Sequence, residues 1–190
     1  MDLDEIMAYE KHRGSCTYCG VFRRWIINRA ARDFGATKIA TGHNLDDESE
    51  AILMNYLEGN TENMAKIGPK TESNSEMFTV KIKPLREIPE REIGLYALAK
   101  GLDIHLAGCP YAHESFRMEV GNIIKDLSKE HPTIRFSLLK GFDKIRLALR
   151  EELTHDYDYD RCEICGEPSS NRLCRACTFL EELEHDNDRL

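Results

Sequence analysis

The chain lacks any apolar run approaching the ~18 residues that a bilayer-spanning helix needs, so no membrane role is expected. Residues 1–13 turn from acidic to basic with no apolar segment between them, which does not read as a secretory leader, and the expected location is the cytoplasm. An excess of positive charge is missing as well. With 26 Lys and Arg against 34 Asp and Glu the net charge is -8, which excludes nucleic-acid binding by bulk charge and leaves it to local basic faces. There are no low-complexity tracts and no internal repeats beyond two similar CxxC pairs near the C-terminus. At 190 residues, 41% hydrophobic and 32% charged, the composition is that of an ordinary globular protein with one sizeable core and at most a small appendage.

What is there is segregated charge and seven cysteines. Arg23, Arg24, Arg29 and Arg32 cluster in one segment, Lys140, Lys144, Arg146 and Arg150 in another, and acids fill residues 181–188. Each cluster reads equally as a binding face or as the solvated side of a helix. The cysteines fall as Cys16-x2-Cys19, a lone Cys109, and Cys162-x2-Cys165-x8-Cys174-x2-Cys177. Without a leader, thiols so spaced point to metal or redox chemistry rather than to structural disulfides, and they divide naturally into three and four.

Apolar residues at helical spacing predict a helix over 21–34 that Gly35 stops, a short strand over 38–41, and a helix over 48–57 ending before Gly59. Residues 60–76 are polar and contain Gly68-Pro69, which predicts a mobile loop able to act as a lid, followed by an extended stretch over 78–82. A helix from Pro89 to Ala99 closed by Gly101, a brief strand over 104–106 and helices over 114–127 and 132–149 complete the pattern. Alternation of this kind predicts an α/β fold with a parallel sheet. Expected divisions are a main domain over 1–150, a linker over 151–161, a four-cysteine segment over 162–180 and an acidic tail over 181–190.

Cys162, Cys165, Cys174 and Cys177 suit a structural Zn²⁺ site, because tetrahedral zinc takes four thiolates and none of the four positions is left for substrate. A segment this short has little core of its own, so the metal is expected to supply most of its folding free energy. The knuckle could also present Arg172 and Arg175 to RNA.

Gly42-His43-Asn44-Leu45-Asp46-Asp47-Glu48 lies between the predicted strand and helix, where open α/β sheets bind ligands. Gly42 would let a nucleotide approach the backbone, and Asp46 and Asp47 could hold Mg²⁺ against phosphates or orient a reacting group. They could equally cap the helix and favour its dipole. His43 alone is more often a hydrogen-bonded loop histidine than a catalyst. The CxxC of Cys16 and Cys19, placed directly before a helix, reads either as a redox pair or as cluster ligands. Cys109, in Gly108-Cys-Pro-Tyr111, could add a third thiolate, too few for closed zinc but enough for an iron-sulfur cluster with one iron open; it could also be an unrelated buried cysteine.

Taken together, Cys16-Thr-Tyr-Cys19-Gly20-Val21 with Arg23 and Arg24, Ala40-Thr-Gly-His-Asn-Leu-Asp-Asp-Glu48, Lys83-Pro-Leu-Arg-Glu-Ile-Pro89, Gly108-Cys-Pro-Tyr111 with Arg117, and the four-cysteine tail resemble the tRNA 2-thiouridine synthetases of the archaeal and eukaryotic cytosolic type, within the PP-loop ATP-pyrophosphatase superfamily. The resemblance implies an enzyme that uses ATP and Mg²⁺ to adenylate the 2-oxygen of a tRNA uridine and then replaces that oxygen with sulfur. It also implies a [4Fe-4S] cluster on Cys16, Cys19 and Cys109, adenylation chemistry at Asp46, a basic Arg23 beside the nucleotide, and an AMP pocket at Gly42 and His43 with Asp47 beside it. The sulfur would come from a ubiquitin-like carrier protein or from sulfide, and a homodimer is compatible with the sequence. Family members begin with a zinc-binding segment and a Ser-Gly-Gly-x-Asp-Ser loop that cradles pyrophosphate; neither occurs in these 190 residues, so a truncated copy that binds ATP poorly by itself is expected. Two other readings stand beside this one: an iron-sulfur, zinc or redox binding module with no nucleotide chemistry, and a tRNA 2-thiocytidine synthetase of the same superfamily.

Overall fold

The computed structural model describes residues 3–9, 13–71, 77–105, 107–153 and 159–187. In chain order these form α1 (Leu3–Tyr9), α2 (Ser15–Asp33), β1 (Lys38–Ala40), α3 (Leu45–Leu57), α4 (Thr61–Ala65), β2 (Val80–Ile82), α5 (Glu90–Ala99), α6 (Phe116–Glu130), α7 (Ile134–Leu153), β3 (Asp160–Arg161), β4 (Pro168–Ser169) and α8 (Arg175–Asn187), with a single 3-10 turn at Ala112–Glu114. The α/β class read from the alternation holds, with a sheet of two neighbouring strands, β1 and β2, among the described residues of the main body. No helix among the described residues is long and apolar enough to cross a membrane.

The chain divides into two compact units, and the division is not a linear one. Met1–Lys38 and Ser73–Thr79 group with Asp156–Leu190, while Ile39–Glu72 and Val80–His155 form the other unit. The reason is visible in the apolar contacts of the first unit. Ile6 of α1, Tyr18 of α2, and Phe179 and Leu183 of α8 are buried together, with Leu3, Met7, Val21 and Phe22 packed against them. Residues 181–187, expected as part of an acidic tail, are therefore the end of α8: Glu184 is exposed and Glu181 and Glu182 half-buried, while Leu183 is held in the core. The four-cysteine segment is correspondingly less dependent on metal than its length suggested, because this core is shared with α1 and α2.

In the second unit α3 packs against α4, α6 and α7, and α4 against α7. Leu45, Ile52, Met64, Ile67, Leu139 and Phe142 form its centre, each full burial contributing about 1.5–3 kcal/mol. A methyl group added at Gly121 of α6 would stand 2.9 Å from Glu50 Oε1, so the missing side chain is what lets α6 rest against that carboxylate.

Several element boundaries differ from the sequence expectation, each for a local reason. α2 begins at Ser15 rather than residue 21, with Gly14 as N-cap in extended backbone, so the CxxC lies inside the helix instead of before it. α3 begins at Leu45 because Asn44 and Asp47 close a reciprocal capping box: Asn44 Oδ1 accepts from Asp47 N at 3.0 Å and Asp47 Oδ2 accepts from Asn44 N at 3.0 Å. Part of the expected loop over 60–76 is the short helix α4, started by Asn60, whose side chain accepts from Asn63 N. Lys70 then forms an antiparallel bridge with Ile82, and the lid expectation falls partly on residues 72–76, outside the described ones. Ile104 and His105 are irregular rather than a strand, having no bridge partner among the described residues, and Leu106 lies outside these. α7 runs to Leu153, into the expected linker, of which 154–158 are outside the described residues.

One buried charge organises the second unit. Glu48, 2% exposed, accepts from Lys83 Nζ at 2.5 Å and Arg86 Nε at 2.8 Å, and Arg86 in turn forms two 2.8 Å bonds with Asp143 of α7. Removing one member of a buried network strands the rest without a counter-charge. Glu48→Ala should therefore lower the unfolding free energy by about 3–5 kcal/mol, and Asp143→Asn, at a half-exposed site, by about 1 kcal/mol or less, as read by thermal or denaturant melts.

Candidate functional site

Three groups of side chains carry chemistry, two in the first unit and one in the second. Each is built by a different local device.

The four-thiol group sits in a small ribbon. β3 and β4 pair antiparallel, Asp160 opposite Ser169 and Arg161 opposite Pro168. Between them the chain turns tightly: Gly166 takes a φ of +71°, donates its N–H to Cys162 O at 2.9 Å, and lets Cys162 N donate to Glu167 O at 2.8 Å. That turn aims Cys162 and Cys165 inward, and the start of α8 brings Cys174 and Cys177 to them. The ligand atoms of all four lie within 4.8 Å of one another, Cys165 Sγ and Cys174 Sγ at 3.5 Å. Burial opposes ionisation of Cys162, but backbone N–H groups of Cys165, Cys174 and Ile164 overcome it and bring this thiol down to about 6. Burial raises Cys177, with its thiol neighbours adding to the effect, and burial likewise raises Cys174. A thiolate ready to bind, packed among thiols that resist ionising without a cation, is the donor set that tetrahedral zinc fits.

α2 lies on this ribbon. Val21, Phe22 and Trp25 pack against Cys162, Cys174 and Cys177. One turn away, Cys16 and Cys19 stand at i and i+3 near the start of α2, Cys16 exposed and Cys19 half-buried, so both sulfurs share one side of the helix. Arg23, one turn further, donates from its guanidinium to Cys19 Sγ at 2.9 Å.

The basic cluster of α2 is not uniform. Arg29 covers the face of Trp25, and Arg32 is bonded to Glu167 of the ribbon, leaving Arg23 beside the sulfur. Of the two arginines that the knuckle could show to RNA, Arg172 pairs with Glu163 at 3.0 Å in the open and Arg175 stacks over Phe179. Lys140 and Lys144 of α7 are exposed, while the Arg146 guanidinium is folded against Gly68.

In the second unit the chain leaves β1 through Thr41, whose N–H donates to Ile82 O at 2.9 Å. Gly42 is exposed, with nothing within 4 Å of where a Cβ would stand, and His43 Nδ1 lies 2.8 Å from Thr41 Oγ1. Partial burial, more than any charge, holds His43 below the ordinary histidine pKa, so the ring is neutral near pH 7. Asp47, besides its capping bond, pairs with Arg117 of α6 at 3.0 Å. Asp46 points elsewhere: Arg135 Nε of α7 lies 2.5 Å from Oδ1, and Oδ2 accepts from Glu90 N, the first residue of α5, at 2.8 Å. The capping reading of the two aspartates is therefore present in full for Asp47, and Asp46 caps a different helix from its own. Sequence reasoning missed Arg135, for which no motif existed, and Glu167, whose place in the CxxC turn hid it.

Cys109 is exposed, in a turn where Ala112 N donates to Cys109 O at 3.0 Å and His113 Nδ1 lies 2.9 Å from Pro110 O. It belongs to the second unit, and Cys16 and Cys19 to the first.

Comparison with known proteins places these groups in context. Residues 160–187 match a zinc-ribbon family model. The chain is 35% identical to the tRNA 2-thiolation protein NcsA of Haloferax volcanii, over 97% of this chain and 60% of that protein. It is 37% identical to the tRNA-5-methyluridine(54) 2-sulfurtransferase of Pyrococcus horikoshii, over 93% of this chain and 58% of the relative. Among solved structures, the U34-tRNA thiolase NcsA of Methanococcus maripaludis, determined with its [4Fe-4S] cluster, superposes with a TM-score of 0.70 at 36% identity, covering 88% of this chain and 53% of that one. The chain thus spans a little over half the length of these relatives. The resemblance to tRNA 2-thiouridine synthetases drawn from the motifs is borne out.

Purified under reducing conditions, the chain should carry about a single zinc ion by elemental analysis, four thiolates making one closed site. Cys174→Ser should reduce that content and lower the helix signal in circular dichroism, since the thiol lies under α2.

Proposed function

We propose that this chain provides the cluster-binding and uridine-thiolating portion of a tRNA 2-thiouridine synthetase. The observation that carries the reading is the pairing of a ribbon-mounted CxxC helix, with Arg23 at 2.9 Å from Cys19, with sequence similarity over nearly the whole chain to tRNA thiolation proteins.

In this reaction the uridine 2-oxygen attacks the α-phosphorus of ATP and pyrophosphate leaves; sulfur then bonds to C2 and AMP departs with the oxygen. Adenylation converts a poor leaving group into a good one. A [4Fe-4S] cluster on Cys16, Cys19 and Cys109, with one iron free of protein thiolate, would supply the sulfur nucleophile. Cys16 and Cys109 are exposed and Cys19 is half-buried with Arg23 beside it, so each sulfur is open to a ligand.

Gly42 and neutral His43 bind the adenylate, Gly42 offering unobstructed backbone and His43 a ring nitrogen without charge. Asp46 acts in adenylation by orienting the nucleotide and its Mg²⁺, its carboxylate placed by Arg135, and Asp47 with Arg117 closes the same helix start. The enzyme works in the cytoplasm on tRNA, takes its sulfur from a ubiquitin-like thiocarboxylate or from sulfide, and is compatible with a homodimer. The four-thiol site separates this reading from a 2-thiocytidine synthetase. The binding-module reading predicts that ATP has no effect and that Asp46 is dispensable.

Anaerobic reconstitution with iron and sulfide should give a broad visible absorbance that Cys109→Ala abolishes. Joined to a segment that carries the Ser-Gly-Gly-x-Asp-Ser loop and incubated with tRNA, ATP, Mg²⁺ and sulfide, the reconstituted protein should form 2-thiouridine, detectable by mass spectrometry of digested tRNA. Asp46→Ala should retain tRNA and lose at least about a hundredfold in product rate, as removal of a positioned charged group does. An unchanged spectrum in Cys109→Ala, or full activity in Asp46→Ala, rejects the assignment.

A further inference from the structure

Glu167 belongs neither to the four thiols nor to the Cys16 and Cys19 pair, yet it joins the elements that hold both. Its backbone closes the first turn of the ribbon, accepting from Cys162 N at 2.8 Å. Its side chain, in a residue 3% exposed, reaches across to α2: Oε2 accepts from Asn28 Nδ2 at 3.0 Å and from Arg32 at 2.6 Å, and Oε1 also bonds to Arg32. Asn28 is itself buried and its Oδ1 accepts from Thr79 N at 3.4 Å, so the joint takes in a third segment.

We infer that Glu167 is a positioning residue that makes the position of the Cys16 and Cys19 helix depend on metal in the ribbon. The turn that holds Cys162 and Cys165 also holds Glu167, so the ion that orders the turn orders the carboxylate. The carboxylate in turn fixes the register of α2, about two and a half helical turns beyond Cys19. Tyr18 on Phe179 and the contact of Val21, Phe22 and Trp25 with the thiol cluster seat the first half of α2, and the bidentate ion pair of Glu167 with Arg32 pins its second half to the turn. A rigid helix then carries that orientation back to the two sulfurs. The consequence for a cluster rests on the function proposed above; the coupling of ribbon to helix does not.

The test compares the zinc-loaded chain with Glu167→Gln, Glu167→Lys, Arg32→Glu, and the exchanged pair Glu167→Lys with Arg32→Glu. Hydrogen exchange of the amides of residues 15–23 reports the helix, and emission of Trp25, the chain's single tryptophan, reports its seat on the ribbon. Removing zinc with a chelator should speed exchange over 15–23 and red-shift Trp25. Glu167→Lys should bind zinc with unchanged stoichiometry but exchange at least about tenfold faster over 15–23, with the exchanged pair returning most of that protection. Should Glu167→Lys not fold, Glu167→Gln, which keeps the bond to Asn28, is expected to show the same effect more weakly. After anaerobic reconstitution the visible absorbance should also decay faster in Glu167→Lys than in the parent. Exchange over 15–23 that ignores both zinc and Glu167, or an exchanged pair no better than the single variants, overturns the coupling. A parent chain that shows the exchange effects and takes up no iron sinks the cluster reading and upholds the coupling.

Discussion

Four thiol groups packed within 4.8 Å cannot all ionise unless a cation stands among them, and the first unit is arranged around that constraint. Backbone N–H groups prepare one thiolate at Cys162, while burial resists charge at Cys174 and Cys177. Metal binding therefore releases protons and completes folding in a single event. Because α1, α2 and α8 share Ile6, Tyr18, Phe179 and Leu183, the ribbon is not a separate appendage; it is half of a body whose other half carries Cys16 and Cys19. The energetic logic is mutual support: a small ribbon acquires a core it lacks, and the helix bearing Cys16 and Cys19 acquires a fixed seat.

The second unit solves a comparable problem with carboxylates. Asp46, Asp47 and Glu48 crowd the first turn of α3, where the helix dipole favours them but their mutual repulsion does not. Each is answered from a different element: Arg135 of α7, Arg117 of α6, and Lys83 with Arg86 after β2. Burial sorts their duties. Glu48 is sealed in and structural, and Asp47 is divided between its cap and Arg117. Glu50, one turn on, has its pKa raised chiefly by burial, with the Arg117 guanidinium 3.8 Å away opposing the shift.

Much of this was readable beforehand, and the failures have identifiable physics. Periodicity located the bodies of the helices, and Gly35 and Gly101 marked the ends of α2 and α5 where the chain turns, each at positive φ. It could not locate the starts of α2 and α3, because those are set by Gly14 and by the Asn44 and Asp47 side chains, which are polar and carry no apolar rhythm. Two CxxC pairs at zinc spacing announced the ribbon, since ligand geometry is local in sequence. The acids of 181–187 masked the apolar stripe through Phe179 and Leu183 that makes the segment a core helix. Glu167, Arg32, Arg135 and Asp46 meet across 135 and 89 residues of chain respectively, and no spacing rule reaches that far.

Asp46 is the point at which fold and chemistry press on each other. Its carboxylate meets Arg135 Nε at 2.5 Å on one oxygen and accepts from the Glu90 N–H at 2.8 Å on the other. These contacts tie its position to α5 and α7 at once, so displacement of either helix moves the carboxylate. That makes Arg135, invisible to any motif, a residue that sets where the Asp46 carboxylate stands.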